Sequence, residues 1–244
     1  MNIRKSIPNI FTSFNLFSGC VASVMAFQGE YKLVVIWVII AAFFDFSDGF
    51  AARFLKAYSP MGKELDSLAD CISFGFAPSV AVYYFLSENV FKISHNPIVI
   101  GYLPYLAFLL AIFSGLRLAK FNVDKRQTES FIGLNTPANA LFWVSFCYGL
   151  TFTAPVITPP LIYTFLVGIL VFSLLMISEI PMFSLKVKSL KLKGNEYRYF
   201  LIAFIIGMVV CVGIIGISAG ILLYIALSII QQSGTKQQDT TAGQ

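Results

Sequence analysis

Eight apolar runs dominate this chain, at approximately residues 8–27, 33–55, 65–87, 97–119, 137–154, 158–178, 198–216 and 218–230. Runs of about 20 residues, at about 1.5 Å of rise each, cross the roughly 30 Å of hydrocarbon in a bilayer as helices. Composition closes off the water-soluble alternative. Of 244 residues, 57% are hydrophobic and 12% charged, too few charges to cover a soluble globule. The expected fold class is all-α and polytopic: one transmembrane domain over 1–230 with eight membrane helices, followed by a disordered cytoplasmic tail over 231–244, rich in Gln, Ser, Thr and Gly. Breakers fall between the runs at Ser59-Pro60, Asn96-Pro97, Pro155, Pro159-Pro160, Pro181 and the Gly216–Gly220 stretch.

Charge sets the expected orientation. With Arg4 and Lys5 on the cytoplasmic side, eight spans place every one of the 17 Lys and Arg residues there except Lys32 and Lys92. The densest basic cluster, Lys186, Lys188, Lys191, Lys193 and Arg198, lies just cytoplasmic of a span, within reach of anionic headgroups. Its simpler role is as a topology signal. The first run contains Asn9, Thr12, Ser13 and Asn15, too polar for the core of a cleaved signal peptide. Cys20, Cys71, Cys147 and Cys211 stand singly in apolar stretches, which suits packing rather than zinc or disulfides. The single histidine, His95, falls in a polar linker, so histidine-based metal or triad chemistry is not expected. Nothing points to a nucleic-acid partner.

The acids carry the chemistry. Five of the 12 Asp and Glu residues, four of them aspartates, lie between positions 45 and 70, although a charge in the membrane centre costs about 2.5–3.5 kcal/mol. Asp45 and Asp48 are three apart near the end of the second run; Asp66 and Asp70 are four apart near the start of the third. Each pair shares a helix face. Ser59-Pro60 and Gly62 are expected to end the second helix and reverse the chain, so that the two pairs face each other. Close carboxylates repel unless a cation sits among them, and an all-oxygen set selects Mg²⁺, Mn²⁺ or Ca²⁺, in a site for one or two ions. Gly49 and Ala52 continue the stripe of Asp45 and Asp48 as a smooth surface, and Arg53 offers a planar fork for phosphate, together a seat for a nucleotide diphosphate. A plain network of buried ion pairs with Arg53, Lys56 and Lys63 is the simpler alternative, but three bases leave one acid unneutralised.

Written out, the segment is Asp45-Phe-Ser-Asp48-Gly49-Phe-Ala-Ala52-Arg53, eight residues, Gly62, three residues, Asp66, three residues, Asp70. It resembles, without a departure, the signature of the CDP-alcohol phosphotransferase family. The resemblance implies a six-helix core, here extended by two C-terminal helices, and a homodimer. It also implies that Asp45, Asp48, Asp66 and Asp70 bind two divalent cations, that Asp70 is in addition the catalytic base, and that Asn9, Asp48, Gly49, Ala52, Arg53 and Gly62 contact the CDP-lipid. Flanking stretches resemble the members that use serine: Ile7-Pro8-Asn9, Thr12, Asn15-Leu16, Ser73-Phe74-Gly75, Arg117 to Asn122 and Gly133 to Pro137. The substrates so implied are CDP-diacylglycerol and L-serine, with membrane lipid as the surroundings and a prokaryotic cytoplasmic membrane as the place. A serine pocket needs a fixed cation for the carboxylate; Arg117, Lys120 and Asn122, on the same side as the motif, are the candidates. They also suit a helix-end cap.

Glycerol 3-phosphate and inositol phosphate are the competing acceptors within this chemistry. From a different class, an ion-coupled transporter would place carboxylates at a midplane cation site, usually in two related halves. No aspartate pattern of this kind recurs in residues 120–230. A noncatalytic scaffold is the third alternative.

Overall fold

The computed structural model describes the backbone of residues 3–124, 131–153, 157–182 and 195–242. Among the described residues, eight helical runs follow one another: α1 (Ile3–Phe27), α2 (Tyr31–Leu55), α3 (Pro60–Lys92), α4 (Pro97–Val123), α5 (Thr136–Thr153), α6 (Pro159–Ile177), α7 (Glu196–Val212) and α8 (Ile215–Ala242). Five of them, α1 to α4 and α6, are both long and apolar enough to cross a membrane. The protein is an integral membrane protein of all-α, polytopic type. Helices suit this setting because each satisfies its own backbone hydrogen bonds without water.

The expected breakers start helices more than they end them. Ser59 caps α3, its Oγ accepting the Gly62 N–H at 3.0 Å, with Pro60 pre-set at the first helical position. Asn96 caps α4 in the same way through the Ile98 N–H at 2.9 Å, and Asn135 caps α5 through the Ala138 N–H at 2.7 Å. What ends α2 is Lys56, in the left-handed conformation at φ 49°. Gly62 therefore lies inside the first turn of α3 and does not reverse the chain. Pro155 and the cluster Lys186, Lys188, Lys191 and Lys193 lie outside the described residues.

The last two helices correct the expected boundary. The turn between α7 and α8 comes at Gly213, at φ 76°, so Gly216 and Gly220 are helical. Their role is close approach: a Cβ on Gly216 would fall 2.5 Å from the Met208 carbonyl carbon, and one on Gly220 would collide with Ile205 Cγ1. Small residues at such crossings bring membrane helices into contact. α8 runs on to Ala242, so the backbone past Gln231 is helical where composition predicts disorder. Extending a nucleated helix costs far less than starting one.

α3 is not uniform. Its α-helical start, Pro60–Asp70, passes through one π-helical segment, Cys71–Phe76, before resuming at Ala77–Asn89. A short antiparallel ribbon, β1 (Phe131–Ile132) with β2 (Pro181–Met182), ties the start of α5 to the end of α6, pairing Phe131 with Met182. No strand is expected here from the sequence. The packed core lies among α3, α5 and α6, where Phe85 stacks on Phe165 at 4.4 Å and Phe142 on Phe172 at 4.2 Å beside buried Trp143. Phe43, Phe46, Phe50 and Phe54 stay exposed along α2, the surface a lipid-facing helix presents. Of the cysteines only Cys147 is buried; Cys20 and Cys211 are exposed, and all four are free thiols. Cys71 is half-buried. His95 is exposed in the connection between α3 and α4.

Candidate active site

α1, α2, α3, α4 and α5 contribute to one polar region at one end of the bundle. Asp45 and Asp48 come from the last turns of α2, Asp66 and Asp70 from the second and third turns of α3. The reversal at Lys56 to Ser59 turns α3 back along α2, and the two pairs meet as their spacing predicts. One carboxylate oxygen each from Asp45, Asp48 and Asp66 lie within 4.8 Å of one another. Asp66 Oδ1 is buried with no hydrogen-bond partner. No ion pair joins Arg53, Lys56 or Lys63 to Asp48, Asp66 or Asp70 among the described residues, so the simple ion-pair network is not what holds these three. An oxygen-only donor set with an orphaned buried carboxylate oxygen fits a hard divalent cation.

The surrounding groups orient the acids. The Thr12 hydroxyl donates to Asp48 Oδ2 at 2.6 Å, and Asn15 Nδ2 donates to Asp70 Oδ1 at 3.1 Å. Ser73, in the π segment, donates its hydroxyl to the Asn15 carbonyl at 2.9 Å, which fastens α3 to α1 beside Asp70. π turns recur at functional sites because they re-aim side chains within a continuous helix. Asn9, Thr12 and Asn15 are spaced three apart on α1 and all reach this region. Their polarity, which argues against a signal peptide, is also the sequence trace of the site wall; Thr12 and Asn15 were missed as site residues. A polar stripe at helical spacing within an apolar run was the available signal.

Two cavities meet at the acids. The first, about 260 Å³, is lined by Asn9, Asp48, Gly49, Ala52, Arg53 and Gly62, the whole set expected around CDP-lipid, with Thr12, Tyr58 and Lys63. Gly62 matters here for its missing side chain: a Cβ would stand 2.9 Å from Asn9 Oδ1. The second, about 600 Å³, is lined by Asp45, Asp70, Arg117, Asn122, Asn135 and Thr136. Asp48, Gly49, Arg53 and Asp66 line both. A ligand in one cavity and a ligand in the other would therefore touch across the same carboxylates.

The three candidates on α4 separate. Arg117 is buried, lines the second cavity, interacts electrostatically with Asp70 and Tyr224, and has its Nε unpartnered. Asn122 lines the same cavity, but its side-chain amide donates to Ser67 at 2.8 Å and its carbonyl accepts from the Lys63 ammonium at 2.9 Å, so it also clamps α3 to α4. Lys120 lines neither cavity. Its ammonium sits 3.3 Å from Glu179 and 3.2 Å from the Ile177 carbonyl, tying α4 to the end of α6. Three residues past Arg117 on a helix, its side chain reaches out to Glu179 instead of into the site, which withdraws it as a ligand candidate.

Known proteins are similar in sequence. The CDP-diacylglycerol–serine O-phosphatidyltransferase of Methanocaldococcus jannaschii is 30% identical over 218 residues, 88% of each chain. The protein of that name from Bacillus subtilis is 34% identical over 148 residues, 58% of this chain and 76% of the relative. That from Helicobacter pylori is 34% identical over 141 residues, 56% of this chain, and the match spans only 55% of the relative's length. The sequence profile of the CDP-alcohol phosphatidyltransferases matches residues 5–230, every described helix that reaches the paired cavities included. With the signature aspartates gathered at the junction of those cavities, this chain belongs to the CDP-alcohol phosphatidyltransferase family.

Proposed function

We propose that the protein transfers the phosphatidyl group of CDP-diacylglycerol to the hydroxyl of L-serine, giving phosphatidylserine and CMP. The observation that carries the reading is the junction of the two cavities at the carboxylates, with the serine-using relatives as its second support. In this reading the CDP-lipid lies in the first cavity, its diphosphate beside Arg53 and its nucleotide against Asn9, Gly49, Ala52 and Gly62. Serine enters the second, its hydroxyl toward Asp70 and its carboxylate toward Arg117.

Asp70 accepts the serine hydroxyl proton as the oxygen forms its bond to the lipid-linked phosphorus. The bond from that phosphorus to the bridging oxygen breaks, and CMP leaves with the electron pair. A hydroxyl is a weak acid, so a base held within hydrogen-bond reach is needed. Asn15 fixes the Asp70 carboxylate in position for this step. Asp45, Asp48, Asp66 and Asp70 are the residues that would hold two ions, Mg²⁺ or Mn²⁺, which supply neutralisation of the phosphate oxygens when bound. Thr12 holds Asp48 at its angle. The same reading places both termini and the site on the cytoplasmic side, in accord with the positive-inside pattern, and takes the active form to be a homodimer.

The test is CMP release by purified protein in detergent with CDP-diacylglycerol, Mn²⁺ or Mg²⁺ and one alcohol at a time. Serine supports turnover and Asp70→Asn abolishes it without loss of melting temperature. Release of CMP with glycerol 3-phosphate or inositol phosphate and none with serine would assign a different acceptor.

A further inference from the structure

Lys63 is one of two cationic residues, among those described, that line both cavities; Arg53 is the other. They come from different helices, Arg53 from the last turn of α2 and Lys63 from the first turn of α3. The Arg53 guanidinium lies back along α2, where a Cβ on Gly49 would meet its two terminal nitrogens at 3.7 and 3.9 Å. The Lys63 ammonium is held elsewhere. It donates to the Asn122 carbonyl at 2.9 Å, and Asn122 lines the second cavity but not the first.

A closed set of hydrogen bonds keeps it there. Asn122 Nδ2 donates to Ser67 Oγ at 2.8 Å, and the Ser67 hydroxyl donates to the Lys63 carbonyl, one helical turn back, at 3.2 Å. Ser67, like Asn122, lines only the second cavity. What this set leaves unmet is charge. A neutral carbonyl takes one of the three ammonium hydrogens, and no ion pair joins Lys63 to Asp48, Asp66 or Asp70. The hydrogens that remain suit the non-bridging oxygens of a phosphate, which a charge-assisted hydrogen bond holds more strongly than a carbonyl.

We propose that Lys63 is a catalytic residue whose ammonium binds the lipid-linked phosphoryl group, the one transferred, and stabilises the charge on its oxygens as the acceptor attacks. This rests on the reading that CDP-lipid fills the first cavity and the alcohol enters the second, which puts the attacked phosphorus at their junction on the side of Asn122. No bond forms to Lys63 and no proton leaves it; its contribution is electrostatic. A point charge on a flexible stem can follow the phosphoryl group from the leaving oxygen to the entering one.

CDP and CMP differ by the phosphate that corresponds to the lipid-linked one, so their binding isolates the contact. Melting-temperature titrations with CDP and with CMP at saturating Mn²⁺, and CMP release from CDP-diacylglycerol with serine, are measured on the full chain as wild type, Lys63→Met, Lys63→Arg and Ser67→Ala. Lys63 is exposed, so Lys63→Met should remain folded. It should lower kcat at least about tenfold with KM for serine unchanged, less than the roughly hundred- to thousandfold loss of a donor in a water-excluded site. It should weaken CDP about tenfold, the low end for a hydrogen bond between charged groups, and leave CMP binding as in wild type. Lys63→Arg should recover most of the preference for CDP, and Ser67→Ala, which opens the ring of hydrogen bonds but keeps the charge, should retain it. Equal weakening of CDP and CMP in Lys63→Met, or a wild-type kcat, would overturn the role and leave Lys63 as a tie between α3 and α4. Should the wild type use glycerol 3-phosphate and ignore serine, the serine assignment fails while the selective loss of CDP still supports Lys63. A wild type that binds neither CDP nor CMP would sink the reading of the first cavity and the Lys63 role with it.

Discussion

Thr12→Val probes the support beneath the carboxylates with a change that keeps side-chain volume. The Thr12 hydroxyl has one hydrogen and two acceptors within reach, the Pro8 carbonyl at 3.1 Å and Asp48 Oδ2 at 2.6 Å. The shorter contact to a carboxylate is the one that receives the proton. A hydrogen bond to a charged group contributes about 1.5–3 kcal/mol, so the metal-free variant should lose stability of that order. The bond exists with or without an ion, and its effect on metal affinity therefore comes through orientation: Asp48 must aim one oxygen at the point where Asp45 and Asp66 aim theirs. Loss of a group that orients a metal ligand typically costs about ten- to a hundredfold in metal affinity. Mn²⁺ titrations of melting temperature and of CMP release, on wild type and variant, read both effects. The expected result is a lower metal-free melting temperature and a Mn²⁺ midpoint raised at least about tenfold. A lowered melting temperature with an unmoved Mn²⁺ midpoint would refute the orienting role and reduce Thr12 to a packing contact.

Four further substitutions address other parts of the site and its surroundings. Gly62→Ala puts a Cβ 2.9 Å from Asn9 Oδ1 and 3.0 Å from Ser59 Oγ, narrowing the first cavity; KM for CDP-diacylglycerol should rise while KM for serine holds, and the reverse pattern would misplace the nucleotide. Asn15→Leu removes the donor to Asp70, and with a charged hydrogen bond at about 1.5–3 kcal/mol kcat should fall roughly ten- to a hundredfold with little change in either KM, as steady-state kinetics would show. Arg117→Gln should all but remove serine use, whereas Lys120→Gln, which breaks a partly exposed ion pair, should change stability by less than about 1 kcal/mol and leave KM for serine unchanged. Equal losses in the two variants would put Lys120 back in the pocket.

The sequence by itself determined the membrane class, the helical runs and the position of the acids. Lipid makes these legible: an apolar run of spanning length has few other fates, and a carboxylate inside one is too costly to be incidental. The fixed spacing of Asp45, Asp48, Gly49, Ala52, Arg53, Gly62, Asp66 and Asp70 was enough to expect their convergence, because helix periodicity converts spacing into a shared face. Tertiary structure decided what helix periodicity alone does not: which neighbour each face meets. Arg117 and Lys120 are near-equivalent in sequence, yet packing sends one to the cavity and the other to Glu179. Gly216 and Gly220 resemble a turn until the crossing with α7 shows them as contact points, and Gly62 resembles a breaker until Asn9 stands beside it. The polar side of α1 and the unsatisfied atoms of Arg117 and Thr136 gain meaning only once α1 is packed against α2 and α3, and α4 and α5 line one cavity, because hydrogen-bond satisfaction depends on contacts distant in the chain.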